Sequence, residues 1–313
     1  MNLNKREISW LIIDWGTTNF RVFAMDANND VVDKKEEKLG LLQVKEGGFA
    51  KQLEEILSGW LAEFKSLPIF MAGMVGSKQG WHDVNYQATP VDLINLASTA
   101  YQFLLPWGAS AVIFPGVSHQ SNGDQYDVMR GEEIQLIGLS YLLESTSFLS
   151  ILPGTHSKHA VMKNGKLSSF STYMTGELYS ILSQYSILGR GLSELPQPHE
   201  LGKAFIRGLN EGQSGLLSNA LFLVRTHRLF NNLSDDQVLE YLSGMLIGKE
   251  LSALKNTMNE TDEHLYLVGS ENLCRSYQLA CSEFGIKNTY VNGDDCFIKG
   301  MIELKKVINN VKK

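Results

Sequence analysis

Trp10-Leu-Ile-Ile-Asp14-Trp-Gly16-Thr17-Thr18-Asn-Phe-Arg21 is an apolar run that stops at an aspartate, turns at Gly-Thr-Thr and passes into a second β-rich run, Phe20 to Met25. The stretch from Ile8 to Trp15 is short enough to be a buried strand. Gly16 lets the backbone turn tightly, and the N–H groups and hydroxyls after it point at one spot, a geometry that suits a phosphate. Gly154 stands 138 positions beyond Gly16, and that shift sets Ile13-Asp-Trp-Gly16-Thr17-Thr18 against Ile151-Leu-Pro-Gly154-Thr155-His156. A strand and a polar turn follow each. Two strand, Gly-Thr turn, strand units imply duplicated halves.

Outward from the first turn, Asp26-Ala-Asn-Asn-Asp30 supplies turn residues before Val31 and Val32, completing an antiparallel meander. Phe49, Leu53, Ile56, Leu57, Trp60, Leu61 and Phe64 recur at helical spacing, which predicts an amphipathic helix that begins after Gly47-Gly48 and is ended by Pro68. Ile69 to Met74 reads as a buried strand, Val91 to Phe103 as a helix, Ala111 to Phe114 as a strand and Pro115 to Asp127 as a loop. Glu132 to Leu143 predicts a largely buried helix, Phe148 to Leu152 a strand, and Lys163-Asn-Gly-Lys166 the tight turn of a hairpin. Further helices are predicted over Glu177 to Ile187, in parts of 200 to 231, and over Asp235 to Leu254, Asn272 to Phe284 and Cys296 to Val307. Strands are predicted at His264 to Val268 and Asn288 to Val291.

Asp14, where an apolar strand ends, can hold Mg²⁺ directly or through water. Arg21 lies down the returning strand and can steady a phosphate or a nearby carboxylate. A plain hairpin with a solvated aspartate and two β-favouring threonines accounts for the same residues. Pro153-Gly154-Thr155-His156-Ser157-Lys158 adds hydroxyls, backbone donors and a cation, while His156 and His159 lack a third ligand at a recognisable spacing. Asp127-Val-Met-Arg130-Gly131-Glu132-Glu133 leads into an apolar helix. The helix dipole there favours ionised carboxylates, so one can accept a proton from a hydroxyl; acids are also common in any first helical turn. Gly73-Met-Val-Gly76-Ser77-Lys78-Gln79-Gly80-Trp81 forms a loop able to wrap a small polar anion, Lys78 supplying charge and Trp81 a stacking face. Leu267-Val268-Gly269-Ser270 closes a strand and opens a helix, which accepts a nucleotide's base or ribose against the backbone.

The 313 residues are 43% hydrophobic and 20% charged with net charge −6, ordinary for a soluble chain of one or two domains. Lysine and arginine are scattered, which argues against nucleic acid or anionic lipid as the main partner. No apolar stretch approaches the roughly 20 residues that span a bilayer, and Met1 to Glu7 lacks a signal-peptide pattern, so the expected address is the cytoplasm. The three cysteines, Cys274, Cys281 and Cys296, lack Cys-x-x-Cys spacing and read as reduced and structural.

Asp14-x-Gly16-Thr17-Thr18-x-x-Arg21, Gly73-Met-Val-Gly76-Ser77-x-x-Gly80-Trp81, Met129-Arg-Gly-Glu-Glu133, Leu152-Pro-Gly-Thr-His-Ser-Lys158 and Met174-Thr-Gly-Glu-Leu178 together resemble the 2-dehydro-3-deoxygalactonokinase family, in order, from about residue 10 to about residue 300. The resemblance implies an α/β fold of the actin-like ATPase and sugar-kinase superfamily: two similar ribonuclease H-like domains, over 1–118 and 119–313, flanking an interdomain ATP cleft. That accounts for the internal repeat. It also implies transfer of the ATP γ-phosphoryl group to the terminal C6 hydroxyl of 2-dehydro-3-deoxy-D-galactonate, with Mg²⁺, in galactonate catabolism.

On that resemblance Asp14 organises Mg²⁺, and Gly16, Thr17, Thr18 and Arg21 face the phosphates from one half, Gly154, Thr155 and Lys158 from the other. Gly269 and Ser270 match the adenosine loop. Gly76, Ser77, Lys78 and Trp81 form the sugar-acid pocket, with Lys78 on the carboxylate. Related carbohydrate kinases place an aspartate where Glu132 stands; Glu132 is the preferred base, with Asp127 and Glu133 as alternatives because glutamate reaches one methylene further. A phosphatase or polyphosphate hydrolase, or a non-catalytic nucleotide-binding regulator, would use the same loops. The galacto or gluco preference and the oligomeric state, a homodimer being one option, stay open.

Overall fold

Of the 313 residues, the computed structural model describes 7–45, 47–192, 201–214, 216–257 and 264–311. The opening apolar run is β1 (Trp10–Trp15), returned by β2 (Phe20–Met25) and β3 (Val31–Glu37). β1 and β2 pair antiparallel with Asp14 opposite Arg21 and Trp15 opposite Phe20. Four residues close the turn, the Gly16 N–H donating to the Asn19 carbonyl at 2.9 Å. Helix α1 (Phe49–Ser58) leads to β4 (Ile69–Gly73), parallel to β1 with Gly73 beside Trp15. Next come β5 (Gln87–Ala88), α2 (Leu93–Ser98), β6 (Tyr101–Leu104), β7 (Ser110–Ile113), β8 (Val117–Gln120), β9 (Tyr126–Met129) and α3 (Glu132–Leu142).

The second series is β10 (Phe148–Leu152), β11 (Ser157–Lys163), β12 (Lys166–Tyr173), α4 (Thr175–Tyr185), α5 (Lys203–Gln213), α6 (Leu217–Leu229), α7 (Val238–Thr257), β13 (Leu265–Gly269), α8 (Glu271–Glu283), β14 (Asn288–Asn292) and α9 (Gly293–Val311). The first sheet has the order β3-β2-β1-β4-β7-β6 and the second β12-β11-β10-β13-β14, with β5-β8-β9 a small third sheet. Apart from the added edge strand β6, the two large sheets share one topology. The first strand of a hairpin series is central, and strands parallel to it are added on its other side. The expected repeat is therefore structural: the start of β10 lies 138 residues after that of β1.

Three expectations are corrected. The amphipathic spacing continues to Phe64, but α1 stops at Ser58, capped by Gly59; Leu61 and Phe64 are buried in the same apolar cluster from the following turn. Glycine and serine end the helix ten residues before Pro68 does, so the spacing marked burial rather than helix. The helix expected over Val91 to Phe103 is only α2, capped by Asp92. β-prone Tyr101-Gln-Phe-Leu104 pairs antiparallel with β7 instead, tertiary pairing overriding a short helical pattern. The loop expected from Pro115 to Asp127 contains β8 and the start of β9, which pair with each other.

The chain separates into two compact units, Met1–Ser147 with Met162–Ser169 and Asp294–Lys313, and Phe148–Val161 with Phe170–Gly293. A division at 118/119 would cut β8 and part α3 from the first unit. In the first unit Leu11, Ile13, Trp15, Phe20, Leu53, Ile69 and Met71 form an apolar cluster. In the second, Ile151, Phe205, Leu251, Leu265, Leu267 and Tyr277 do so. Cys274, Cys281 and Cys296 are free and buried, as expected, and burial pushes each thiol up to about 12.

Candidate active site

Parallel pairing carries Asp14 and Gly73 to the same end of their sheet. Gly73 has φ +92°, and a Cβ there would stand 2.7 Å from the Trp15 carbonyl and 3.0 Å from Asp14 Oδ1. Glycine is required both for the left-handed turn and for the approach of the carboxylate. Gly131, at φ +113°, lies against it: its Cβ would be 3.6 Å from Gly73 Cα. The start of α3, which carries Glu132 and Glu133, therefore meets the end of β4 at the glycine that borders Asp14.

Asp14 is ion-paired with Arg21, whose guanidinium also holds Asp294. Lys34 Nζ reaches Asp294 at 2.6 Å. Burial works against the Arg21 charge, but Asp14, Asp294 and Glu36 together outweigh it and raise its pKa. Of the two roles left open for Arg21, this geometry is that of a carboxylate partner. Thr17 and Thr18 are exposed at the tip of the turn. Gly40 backs it, since a Cβ there would overlap the Thr17 carbonyl at 1.8 Å. Among the described residues no group of three or more His, Cys, Asp or Glu gathers as a metal site. Asp14 nonetheless fits Mg²⁺, which takes one or two carboxylates and keeps water and phosphate oxygens as its other ligands.

Both acids at the start of α3 fold back on the backbone. The Arg130 N–H donates to Glu132 Oε2 at 3.1 Å, and the Gly131 N–H donates to Glu133 Oε2 at 2.7 Å. Glu133 is buried and Glu132 half-buried. Burial pushes the Glu133 carboxyl up to about 8, and the charge of Glu132 adds to the rise. Asp127 sits on β9 opposite His119, away from the helix start.

The loop after β4 is a single 3-10 turn, Met74–Gly76, followed by Ser77, which is buried, and Lys78, which is exposed. The Trp81 indole stacks on Phe49 at 6.1 Å and meets Phe103 edge-on at 5.4 Å, so most of its face is taken up by the apolar core.

In the second unit Gly154-Thr155-His156 joins β10 to β11, with Thr155 and His156 exposed. Thr175 and Gly176 pack directly on this loop: a Cβ on Gly176 would lie 2.4 Å from the Gly154 carbonyl. The Glu177 N–H donates to the Thr155 carbonyl at 2.9 Å, and its carboxylate pairs with His156. Lys158 is buried on β11, its Nζ donating to Thr172 Oγ1 at 2.7 Å, so its ammonium is engaged beside β12. Gly269 closes β13 against Pro153, and Ser270 caps α8.

Beneath the loop Glu250, 3% exposed, accepts from Ser157 Oγ at 2.7 Å, Tyr277 OH at 2.7 Å and Thr175 Oγ1, and bonds His159 Nε2 at 2.8 Å. A cavity of about 200 Å³ opens beside it, lined by Gly154, Thr155, Gly176, Tyr179, Leu273 and Tyr277 among others. The sequence reading missed Gly40, Asp294, Glu250 and Tyr277. One signal was available for Glu250, a lone acid on the buried side of an apolar helix.

The family model described as 2-keto-3-deoxy-galactonokinase matches residues 14–304. The chain is 32% identical over 303 residues to the 2-dehydro-3-deoxygalactonokinase of Escherichia coli (strain K12), covering 96% of this chain and 99% of that one. A crystal structure from Sinorhizobium meliloti, provisionally named 2-dehydro-3-deoxygalactonokinase, superimposes with a TM-score of 0.86 at 30% identity over 96% of this chain and 99% of that one. Component A of the (R)-2-hydroxyglutaryl-CoA dehydratase of Acidaminococcus fermentans shares the fold, with a TM-score of 0.51 at 11% identity over 96% and 99% of the two chains.

Proposed function

The chain belongs to the 2-keto-3-deoxy-galactonokinase family and is a kinase with the actin-like ATPase fold; from that premise we propose that it transfers the γ-phosphoryl group of ATP to the C6 hydroxyl of 2-dehydro-3-deoxy-D-galactonate, giving the 6-phosphate and ADP. The observation that carries this reading is the gathering of Asp14, Gly73 and the acid-bearing start of α3 at one place in the first unit. Phosphoryl transfer asks a protein mainly for positioning and charge neutralisation, and these residues offer both.

Within the first unit Glu132 accepts the proton of the attacking hydroxyl. It is the half-buried member of the pair, within reach of a ligand, whereas Glu133 is enclosed and keeps its own proton near neutral pH. Two adjacent carboxyls with unequal surroundings divide the roles of base and neutral neighbour in this way. Asp14 is the Mg²⁺ ligand and Arg21 fixes its orientation. Magnesium, when bound, supplies charge neutralisation at the phosphates. Gly16, Thr17 and Thr18 offer backbone and hydroxyl donors to phosphate oxygens.

Within the second unit Gly154 and Thr155 offer the same donors, while Lys158, buried on β11 and engaged with Thr172, supplies charge without direct contact. The cavity lined by Tyr179, Leu273 and Tyr277 receives the base, and Gly269 and Ser270, where β13 passes into α8, face the ribose. Purified protein incubated with ATP, Mg²⁺ and the galacto and gluco forms of the 2-dehydro-3-deoxy acid should release ADP only when an acid is present, with phosphorus NMR locating the new ester at C6. Phosphate released without any acceptor would replace this reading by that of a hydrolase.

A further inference from the structure

Arg130 lies one residue before the Gly131-Glu132-Glu133 turn and is 8% exposed. Its Nη2 donates to the Val84 carbonyl at 2.8 Å, and the Tyr86 ring covers its Cζ at 4.3 Å. Its Nε and Nη1 are buried and have no hydrogen-bond partner. Ser77, also 8% exposed, has a buried Oγ in the same condition. The two residues flank Gly76, where a Cβ would stand 2.9 Å from Nη1. A buried guanidinium with two unused donors is costly, and such groups are retained where something else completes them. A guanidinium N–H makes a charge-assisted hydrogen bond to a carboxylate oxygen, and a serine hydroxyl adds another donor.

We propose that Arg130 and Ser77 form the subsite for the acceptor's carboxylate, displacing Lys78 from that role. This rests on the sugar-acid kinase reading above and specifies which end of the acceptor is recognised where. Arg130 and the acids of α3 are neighbours in sequence, so one short segment grips the carboxylate and activates the hydroxyl at the far end of the same small molecule. Exposed Lys78 offers a solvated point charge, whereas Arg130 offers desolvated donors in fixed geometry. A side chain at Gly76 would crowd Nη1, which glycine leaves clear. Since these donors are closed to solvent, the ligand reaches them by displacing the Met74–Gly76 turn.

The test compares kcat/KM for the acid and for its C1 amide in the parent, Arg130→Lys and Ser77→Ala, with KM for ATP measured alongside. The parent should prefer the acid by about 100-fold, the range of a charge-assisted pair. Arg130→Lys should cut that preference to below about tenfold and Ser77→Ala should reduce it severalfold, both leaving KM for ATP unchanged. If Arg130→Lys does not melt cooperatively, the serine variant decides alone. Unaltered acid-to-amide ratios in the folded variants would overturn the subsite. A parent that phosphorylates no sugar acid would instead overturn the underlying reading. Hydrogen exchange over residues 74–84 should change on adding the acid and not the amide; an acid that leaves it unchanged would overturn the route of entry.

Discussion

Asp14 meets Arg21 across the β1–β2 pair and Gly73 across the β1–β4 pair, so a single carboxylate is fixed by two different kinds of strand neighbour. Asp14→Ala should lower kcat by about three orders of magnitude, the scale of losing a principal electrostatic contact in a transition state. Thermal melting should stay cooperative, since Arg21 keeps Asp294; a kcat within tenfold of the parent would remove Asp14 from the site. Glu133 makes a stability prediction. Burial and Glu132 raise its pKa from 4.5 to about 8, so the folded chain holds a proton that the unfolded chain has lost between those values. Stability from this group is full below about pH 4.5 and is lost as pH rises through 8, by at most about 1.4 kcal/mol per unit. Glu133→Gln keeps a neutral group at all pH. Its denaturation midpoint should match the parent below about pH 4.5, exceed it increasingly up to about pH 8 and level off above that, and a constant gap from about pH 4 to about pH 8 would contradict the assignment. The sequence preferred Glu132 over Glu133 and Asp127 by family resemblance alone; the unequal burial of Glu132 and Glu133 depends on what packs around them.

Helix α3 and helix α9 touch through glycine. A Cβ on Gly138 would lie 1.8 Å from the Cys296 carbonyl, and one on Gly300 would lie 2.1 Å from the Ile134 carbonyl. Alanine in a helix interior ordinarily stabilises it by about 1 kcal/mol relative to glycine. At this crossing the sign reverses, because backbone rather than a side chain occupies the space, and Gly138→Ala should cost at least about 2 kcal/mol. Calorimetry on the variant reads the sign directly, and a raised Tm would show that the helices separate without penalty. A helical glycine looks like a weakness in a sequence, and only its partner reveals its use. The elements written most plainly in the chain are those with local chemistry. Asn164 and Gly165 both take positive φ in the turn between β11 and β12, as their Asn-Gly pair predicts. The end of α1, the strand β6 and the hairpin β8–β9 were not plain in the chain, although β6 pairs with neighbouring β7 and β8 with neighbouring β9.

At the scale of the molecule, the first unit is assembled from three separated segments, and α9 supplies the last of them. It contributes buried Cys296, Phe297, Met301 and Leu304, the Asp294 partner of Arg21, and Lys305, whose Nζ lies 3.9 Å over the Trp10 ring. A chain stopped after Gly293 should therefore lose cooperative melting and near-ultraviolet circular dichroism. A truncated chain that melts like the parent would show that the first unit closes without its final segment. What the sequence determined by itself was periodic and local: two apolar runs ending in Gly-Thr turns, the matched meanders around them, and the family motifs that run the length of the chain. Only the tertiary structure decided which carboxyl is enclosed, that Arg21 serves Asp14 and Asp294, that Trp81 packs into the core, and that Arg130 is left with unused donors. Strands and turns follow from interactions a few residues apart, whereas desolvation and pairing are set by groups that the fold brings together from far along the chain.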